Sequence, residues 1–448
     1  MNENNSKVNS HQNGNVTREQ TLKKEYKYFT KKPKSKICFA ILVHNNRELI
    51  KELINNVRFF CPNSTFVLFN GGGDPSLCDD LGVPVCPSSR KLKYGYTTIY
   101  FLETMEWIEE LGIDYEYFIN IDSDALFIKD GYENIISEQM RDTDYMAVRL
   151  RIPGHNWFIG KQLRKDIDRW KELFRLDPYY GVFNVGQVIK RSLVKAILEP
   201  SKKEKYKNAL LETISFGSDE IFFVNIAHEL GFKMKKYPYV SDTDLIRYRP
   251  HFKLDEIIDC LNSKKFSGLC HPIYRLKNDQ TRRLIKQLAY KCMIEKYCDE
   301  IYPWYEKDES NFAPSLPIRS KFGNKELIVQ SGNTLTHYWQ NRVKKIWNRT
   351  ITFAEGVKDI PVFHGNRSGN FEAACKLERG GIGFWWRENE KRGYPWHGPI
   401  VITQEDVEPI LLDQLEDGRT ILVCQSGDKL TYWACSVEGE WIKEPPLS

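Results

Sequence analysis

A chain of 448 residues with 41% hydrophobic and 13% aromatic content is too long for one ordinary core and predicts two or three folded domains. Its formal net charge of +5 does not describe a nucleic-acid groove, because nine Lys and Arg against three Glu crowd into residues 1–36 and leave the remainder close to neutral. No apolar leader opens the chain, no run reaches the length of a membrane span, and eleven scattered cysteines without a paired CxxC read as the reduced thiols of a cytoplasmic protein.

Residues 1–35, rich in Asn, Ser and Lys, are expected to be a disordered basic tail whose contact with an anionic membrane surface is at most weak. Ile37 to Val43 is a continuous apolar run, the pattern of a strand buried on both faces, and it ends in His44-Asn45-Asn46. A helix follows, with Leu49, Ile50, Leu53, Ile54 and Val57 on one face. Thr65 to Phe69 is the second strand. It runs into Asn70-Gly71-Gly72-Gly73-Asp74, where glycines either let the backbone approach a ligand or simply make a turn. Neither a GxGxxG nor a Walker pattern is present, so a dinucleotide fold and a P-loop are both unsupported. Gly95 to Leu111 reads as helix, with Ile99, Leu102 and Ile108 turned to the core.

The stretch Tyr115 to Asp124 then opens as an aromatic and β-branched strand and stops in Asp122-Ser123-Asp124. In an α/β sheet the ligand crevice lies outside the carboxyl ends of the strands. Two carboxylates there suit a hard divalent cation, and equally suit a solvated turn that caps the next element. The β-α-β-α-β order predicts a doubly wound, largely parallel sheet.

The opening strand ICFAILVHNN, the second strand FVLFNGGGD and the segment INIDSDALF together resemble a nucleotide-sugar glycosyltransferase of the GT-A fold, over about residues 36–280. Distantly the chain looks like the branching N-acetylglucosaminyl- and xylosyl-transferases. The resemblance implies that Asp122 and Asp124 chelate Mn²⁺ or Mg²⁺, with His271 of the GLCHP segment as a further ligand, and that the ion grips the diphosphate of a nucleotide-sugar donor. Donor contacts are implied for His44, Asn45, Asn70, Gly71, Arg90, Lys93, Tyr94, Asp122 and Ser123. Tyr180 to Ile189 reads as the strand and loop of the acceptor wall, with Asn184 and Gly186 at its turn. Trp157, Trp170 and Phe174 belong to a polar, aromatic insertion that is either a lid over the acceptor or a packed helix. Phe216 to Glu220 opens a helix with Ser218 as its N-cap, which places Asp219 and Glu220 in the first turn. The resemblance implies that one of this pair, Asp219 ahead of Glu220, takes the proton from an acceptor hydroxyl in an inverting transfer.

Residues 281–314 read as a helical connector, and residues 315–448 repeat themselves. Trp339, Trp386 and Trp433 are 47 residues apart, and a later Trp recurs at 347, 396 and 441. Each unit reads as about four short strands, with the Trp at 339, 386 and 433 expected to pack inside. The run "GNFE…FWWREN…PWHGP" resembles the repeats of bacterial fucose-binding β-propeller lectins, which implies a carbohydrate-binding role. Three units either close as a trefoil-like body or complete a ring in a homodimer. Two rival functions remain on the sequence alone. One is a metal-dependent nucleotidyltransferase, which usually carries a Gly-rich loop after the first strand, where this chain has HNNRE. The other is a non-enzymatic sugar-binding protein, against which both Asp residues and the downstream acidic pair speak.

Overall fold

The computed structural model describes residues 36–238, 245–263, 268–301, 312–344, 346–436 and 439–444, with the side chains of 292–301 left aside. The expected N-terminal tail and residues 302–311 lie outside the described residues. The chain divides into two compact units that interleave in sequence. One holds residues up to Asn45, Asn63–Ile121 and Met140–Lys235, and the other holds Asn46–Pro62, Asp122–Gln139 and Lys236–Ser448.

The first unit is an α/β layer structure. Strand β1 (Ile37–Val43) is buried at all seven positions, as its unbroken apolar run requires. It pairs in parallel with β2 (Thr65–Asn70), from Cys38 opposite Thr65 to Val43 opposite Asn70. Helix α1 (Arg47–Phe60) belongs to the second unit, and helix α2 (Ile99–Glu110) of the first unit buries Ile99, Leu102 and Ile108. It starts later than the sequence suggests, because Gly95 sits at φ +77° and hands its carbonyl to the Gly217 N–H at 2.7 Å. The sheet continues through β3 (Tyr117–Asp122) in the order β2-β1-β3-β6-β5-β7, where β5 is Tyr145–Ala147, β6 is Val188–Lys190 and β7 is Met234–Lys236. β6 runs antiparallel to both β3 and β5, so the sheet is mixed where largely parallel pairing was expected.

Two local expectations take definite form here. The strand of the stretch 180–189 begins only at Val188 and runs on to Lys190, and the residues before it form the loop. The rest spends its backbone on loop contacts: Tyr180 exchanges hydrogen bonds with the Asn225 side chain, and the Val182 N–H donates to the Glu220 carbonyl. Within the insertion, Trp170 and Phe174 are buried in the main core, and the Trp170 indole donates to Ser215 Oγ at 2.9 Å. They are packing residues and do not form a lid.

In the second unit, α1 is capped by Asn46, whose side chain accepts from the Leu49 N–H, and it buries the apolar face read from sequence. Strand β4 (Leu126–Phe127) pairs antiparallel with β8 (Leu269–Cys270). Helices α4 (Leu254–Asn262) and α5 (Gln280–Ile301) precede the repeats. Helix α3 of the first unit is Phe222–Glu229.

Each repeat is one antiparallel sheet. The first runs β10 (Ile318–Arg319), β11 (Lys325–Ser331), β12 (Thr334–Gln340), β13 (Trp347–Glu355), with β9 (Phe312–Pro314) added on β11. The second is β14 (Val357–Gly365), β15 (Phe371–Leu377), β16 (Ile382–Arg387), β17 (Trp396–Thr403), and the third is β18 (Glu408–Gln414), β19 (Thr420–Ser426), β20 (Lys429–Cys435), β21 (Trp441–Glu444). The periodic Trp thus falls on the third strand of each sheet, and the later Trp opens the fourth. One apolar cluster joins the first and second sheets and another joins the second and third, so no sheet buries its core alone.

Of the three periodic tryptophans only Trp433 is buried. Trp339 and Trp386 stay partly exposed, and the neighbouring Trp385 takes the core position, because successive strand residues face opposite sides. Helix α5, expected to be a connector, lies against the repeats. Arg283 pairs with Asp413 on β18 and donates to His364 on β14, and the Tyr290 hydroxyl donates to the Ser315 carbonyl.

Candidate functional site

The strongest cluster in the second unit is built by the β4–β8 ladder. Leu126 stands opposite Cys270, so the chain just before β4 meets the chain just after β8, which is where Asp124 and His271 lie. The Ile273 N–H donates to the Asp124 carbonyl at 2.8 Å, and the His271 N–H donates to the Leu245 carbonyl at 2.8 Å. The result is that one oxygen each of Asp122 and Asp124 and one ring nitrogen of His271 lie within 4.8 Å of one another. Asp124 and His271 are buried and Asp122 is partly exposed.

The imidazole is held in the form a metal ligand needs. His271 Nδ1 lies 3.0 Å from the Arg247 carbonyl, which only accepts, so Nδ1 carries the proton. Nε2 then faces Asp124 Oδ1 at 3.3 Å. A ring nitrogen and a carboxylate oxygen so placed need a proton or a metal cation between them. A histidine whose far N–H is tied to a carbonyl is the usual outer-shell arrangement of metal sites. No hydrogen bond of good geometry reaches Asp124 Oδ1 among the described residues. Arg275 Nη2 lies 2.8 Å from that same oxygen, and Arg275 Nε donates to Ser123 Oγ at 3.1 Å. The pair of carboxylates is split. Burial and the charge on Asp124 push Asp122 up; burial raises Asp124 too, but His271 and Arg275 bring it below the usual carboxylate range. Two carboxylates and an imidazole are a donor set that fits a divalent cation.

The acidic turn lies in the first unit. Ser218–Glu220 is a separate 3₁₀ turn, and α3 begins only at Phe222. Ser218 is therefore not the N-cap of α3; its hydroxyl is shared with Thr98 Oγ1 at 2.7 Å. Asp219 is buried, with Thr97 Oγ1 donating to its Oδ2 at 3.4 Å. Burial and the neighbouring charge of Asp219 push the Glu220 carboxyl up to about 8, against the pull of Arg151 and Arg149. The two carboxyls of the turn thus influence each other, and Glu220 holds its proton well above the usual carboxylate range.

Three residues expected on the acceptor side reach this turn only through their neighbours. Trp157 lies over Gly181, where an added Cβ would stand 2.6 Å from its ring. Val182 donates to the Glu220 carbonyl, and the Gly186 N–H donates to the Asn120 carbonyl. The Asn184 carbonyl accepts from Asn120 Nδ2 at 2.7 Å and from Gln187 Nε2 at 3.1 Å.

Most of the first-unit residues expected on the donor side are engaged with other residues of their own unit. Asn70 accepts from Gly72 and donates to the Asp74 carbonyl. Gly71 bonds Val43 and Leu92. Gly72 lies against the His44 carbonyl, which a Cβ would meet at 2.3 Å, so this glycine serves the packing of its own loop. Asn45 is exposed. Arg90 pairs with Glu103 at 2.6 Å, Lys93 lies over the Tyr96 ring, and Tyr94 stands out to solvent against Phe216.

Sequence reasoning missed four residues. Asn120 and Gln187 are the hub of the acidic turn. The Gln187 N–H donates to Asn120 Oδ1, and its side chain donates to the Asp219 carbonyl at 2.9 Å while accepting from the Tyr145 hydroxyl. A polar residue inside the apolar run YFINID was the available signal for Asn120. Phe216 lies over Gly95, where a Cβ would stand 2.0 Å from its ring, and it gathers Tyr94, Tyr96 and Phe158. Arg275 had no sequence signal beyond lying four residues after His271.

No family model matches this sequence. No curated protein matches it. Among solved structures the chain is similar to the galactosyltransferase LgtC in complex with donor and acceptor sugar analogs, at 12% identity and a TM-score of 0.34, over 56% of this chain and 95% of that one. It is also similar to a protein of unknown function from Dyadobacter fermentans DSM 18053, at 12% identity and a TM-score of 0.24, over 29% of this chain. The match spans 41% of that second protein's length. At such TM-scores the likeness carries no argument about activity, which rests on the geometry above. No described helix is long and apolar enough to cross a membrane.

Proposed function

We propose that the protein is a metal-dependent glycosyltransferase that moves a sugar from a nucleotide-sugar donor to an acceptor hydroxyl, with inversion. The observation that carries this reading is the Asp122–Asp124–His271 cluster, in which the Arg247 carbonyl fixes the imidazole proton on Nδ1. Asp122, Asp124 and His271 would hold Mn²⁺ or Mg²⁺, which when bound neutralises the diphosphate of the donor. Asp219 is the proton acceptor for the attacking hydroxyl. Gln187 holds its backbone in place, and burial together with Asp219 raises the neighbouring Glu220 carboxyl, which makes Glu220 the poorer candidate for an ionised base at neutral pH. Asn184, Gly186 and Trp157 belong to the acceptor side through their ties to that turn. The repeat sheets bind carbohydrate on the acceptor or elsewhere and do no chemistry.

A donor screen tests this. Purified protein with Mn²⁺ is offered UDP-, GDP- and TDP-sugars, with thermal shift and donor hydrolysis as readouts. Asp124→Ala is expected to lose metal-dependent donor binding and keep its fold by circular dichroism. Equal donor affinity in wild type and Asp124→Ala, with and without EDTA, sinks the proposal.

A further inference from the structure

Arg275 stands where an ion would need to act. Its Nη2 lies 2.8 Å from Asp124 Oδ1, the same oxygen that faces His271 Nε2 at 3.3 Å. Its Nε is anchored by donation to Ser123 Oγ at 3.1 Å, between the two acidic residues. Asp124 is almost fully enclosed, whereas 30% of the Arg275 side chain reaches solvent. A second guanidinium, Arg282, is already committed: it donates to the Ser123 and Tyr274 carbonyls from a buried position.

We propose that Arg275 is an internal counter-ion that holds the metal's place on Asp124, must leave when a divalent ion enters, and is then free to pair with the anionic ligand the ion brings. This rests on the proposed metal reading. A divalent ion ligated by oxygen needs that oxygen at about 2.0–2.6 Å. A guanidinium at hydrogen-bonding distance from the same oxygen competes with it in both charge and space. The partial exposure of the Arg275 side chain leaves it room to turn, and its planar fork matches a phosphate. Metal and diphosphate then bind with positive coupling, because each removes part of the cost of moving Arg275.

The test is a Mn²⁺ titration without nucleotide, following the free-ion signal by electron paramagnetic resonance, on the full chain as wild type, R275Q and R275K. R275Q is expected to bind Mn²⁺ about tenfold more tightly, within the usual range of coupling between two sites. R275K keeps the charge but cannot hold Ser123 and Asp124 together, so its affinity falls between the two. UDP and GDP, each added at fixed concentration, are expected to tighten Mn²⁺ binding in wild type and to do so less in R275Q. Equal or weaker Mn²⁺ binding by R275Q than by wild type overturns the inference while leaving the metal reading intact, as does R275K binding more tightly than R275Q. Absence of Mn²⁺ binding in all three proteins, with or without nucleotide, overturns the metal reading and this inference with it. Thermal melts of each variant establish that the folded protein is being titrated.

Discussion

Glu220→Gln separates the two members of the acidic turn. Burial and Asp219 raise the Glu220 carboxyl from 4.5 to about 8. At roughly 1.4 kcal/mol per tenfold change in proton affinity, ionising Glu220 in the folded chain would cost on the order of 5 kcal/mol. The residue is only partly buried, and screening by water brings the expected figure to about 2–3 kcal/mol. The sign follows from where the proton sits. Above about pH 4.5 the unfolded chain has released it, while the folded chain keeps it until about pH 8. Stability therefore falls as pH rises through that window. Glutamine cannot titrate, so the variant lacks this fall. Urea unfolding of both proteins at pH 5, 7 and 8.5, followed by intrinsic fluorescence, measures it. Relative to Glu220→Gln, wild type should lose about 2–3 kcal/mol between the ends of the series. Parallel pH profiles would show that Glu220 is ionised like an ordinary carboxylate, and the preference for Asp219 over Glu220 as proton acceptor would lose this support.

Asp219→Asn should lower turnover by about 10²-fold or more with little change in donor affinity; near-normal turnover moves the proton acceptor elsewhere, and the product anomer by NMR then reports whether the transfer inverts. Trp170→Ala should cost about 3–5 kcal/mol of stability, because a fully buried indole and its bond to Ser215 are lost, and a variant of wild-type stability with an altered acceptor KM would restore the lid reading. A fragment of residues 278–448 should melt well above one of residues 312–448, because the longer piece keeps Arg283 on the buried Asp413 and Tyr290 on Ser315; equal melting temperatures would make α5 a mere connector. If the three sheets bind sugar, the longer fragment should bind on a glycan array, and its mass in solution decides whether it does so as a homodimer.

Local rules settled much of this chain in advance. The apolar run Ile37–Val43 could only be a strand buried on both faces, and the spacing of Leu49, Ile50, Leu53, Ile54 and Val57 could only be one face of a helix. The 47-residue Trp period marked three equal units, and each is one antiparallel sheet. The Asp-Ser-Asp stop at the end of a strand marked the acidic pair, and His271 was legible as its companion only through a family resemblance. What the sequence could not hold is whatever depends on contacts between distant segments. Ser218 has the composition of a cap, but Thr98, 120 residues away, takes its hydroxyl. Trp386 and Trp385 differ by one position and so by one face of the strand, which only the packing of neighbouring sheets decides. Trp170 in its polar run reads equally as lid or as packed helix until Ser215 and the core enclose it. Arg275 is an ordinary basic residue until the β4–β8 ladder and the chain beyond it bring its guanidinium to Asp124, more than a hundred positions earlier. Periodicity is a property of neighbours along the chain, whereas charge partners, burial and tautomers belong to neighbours in space, and those exist only after folding.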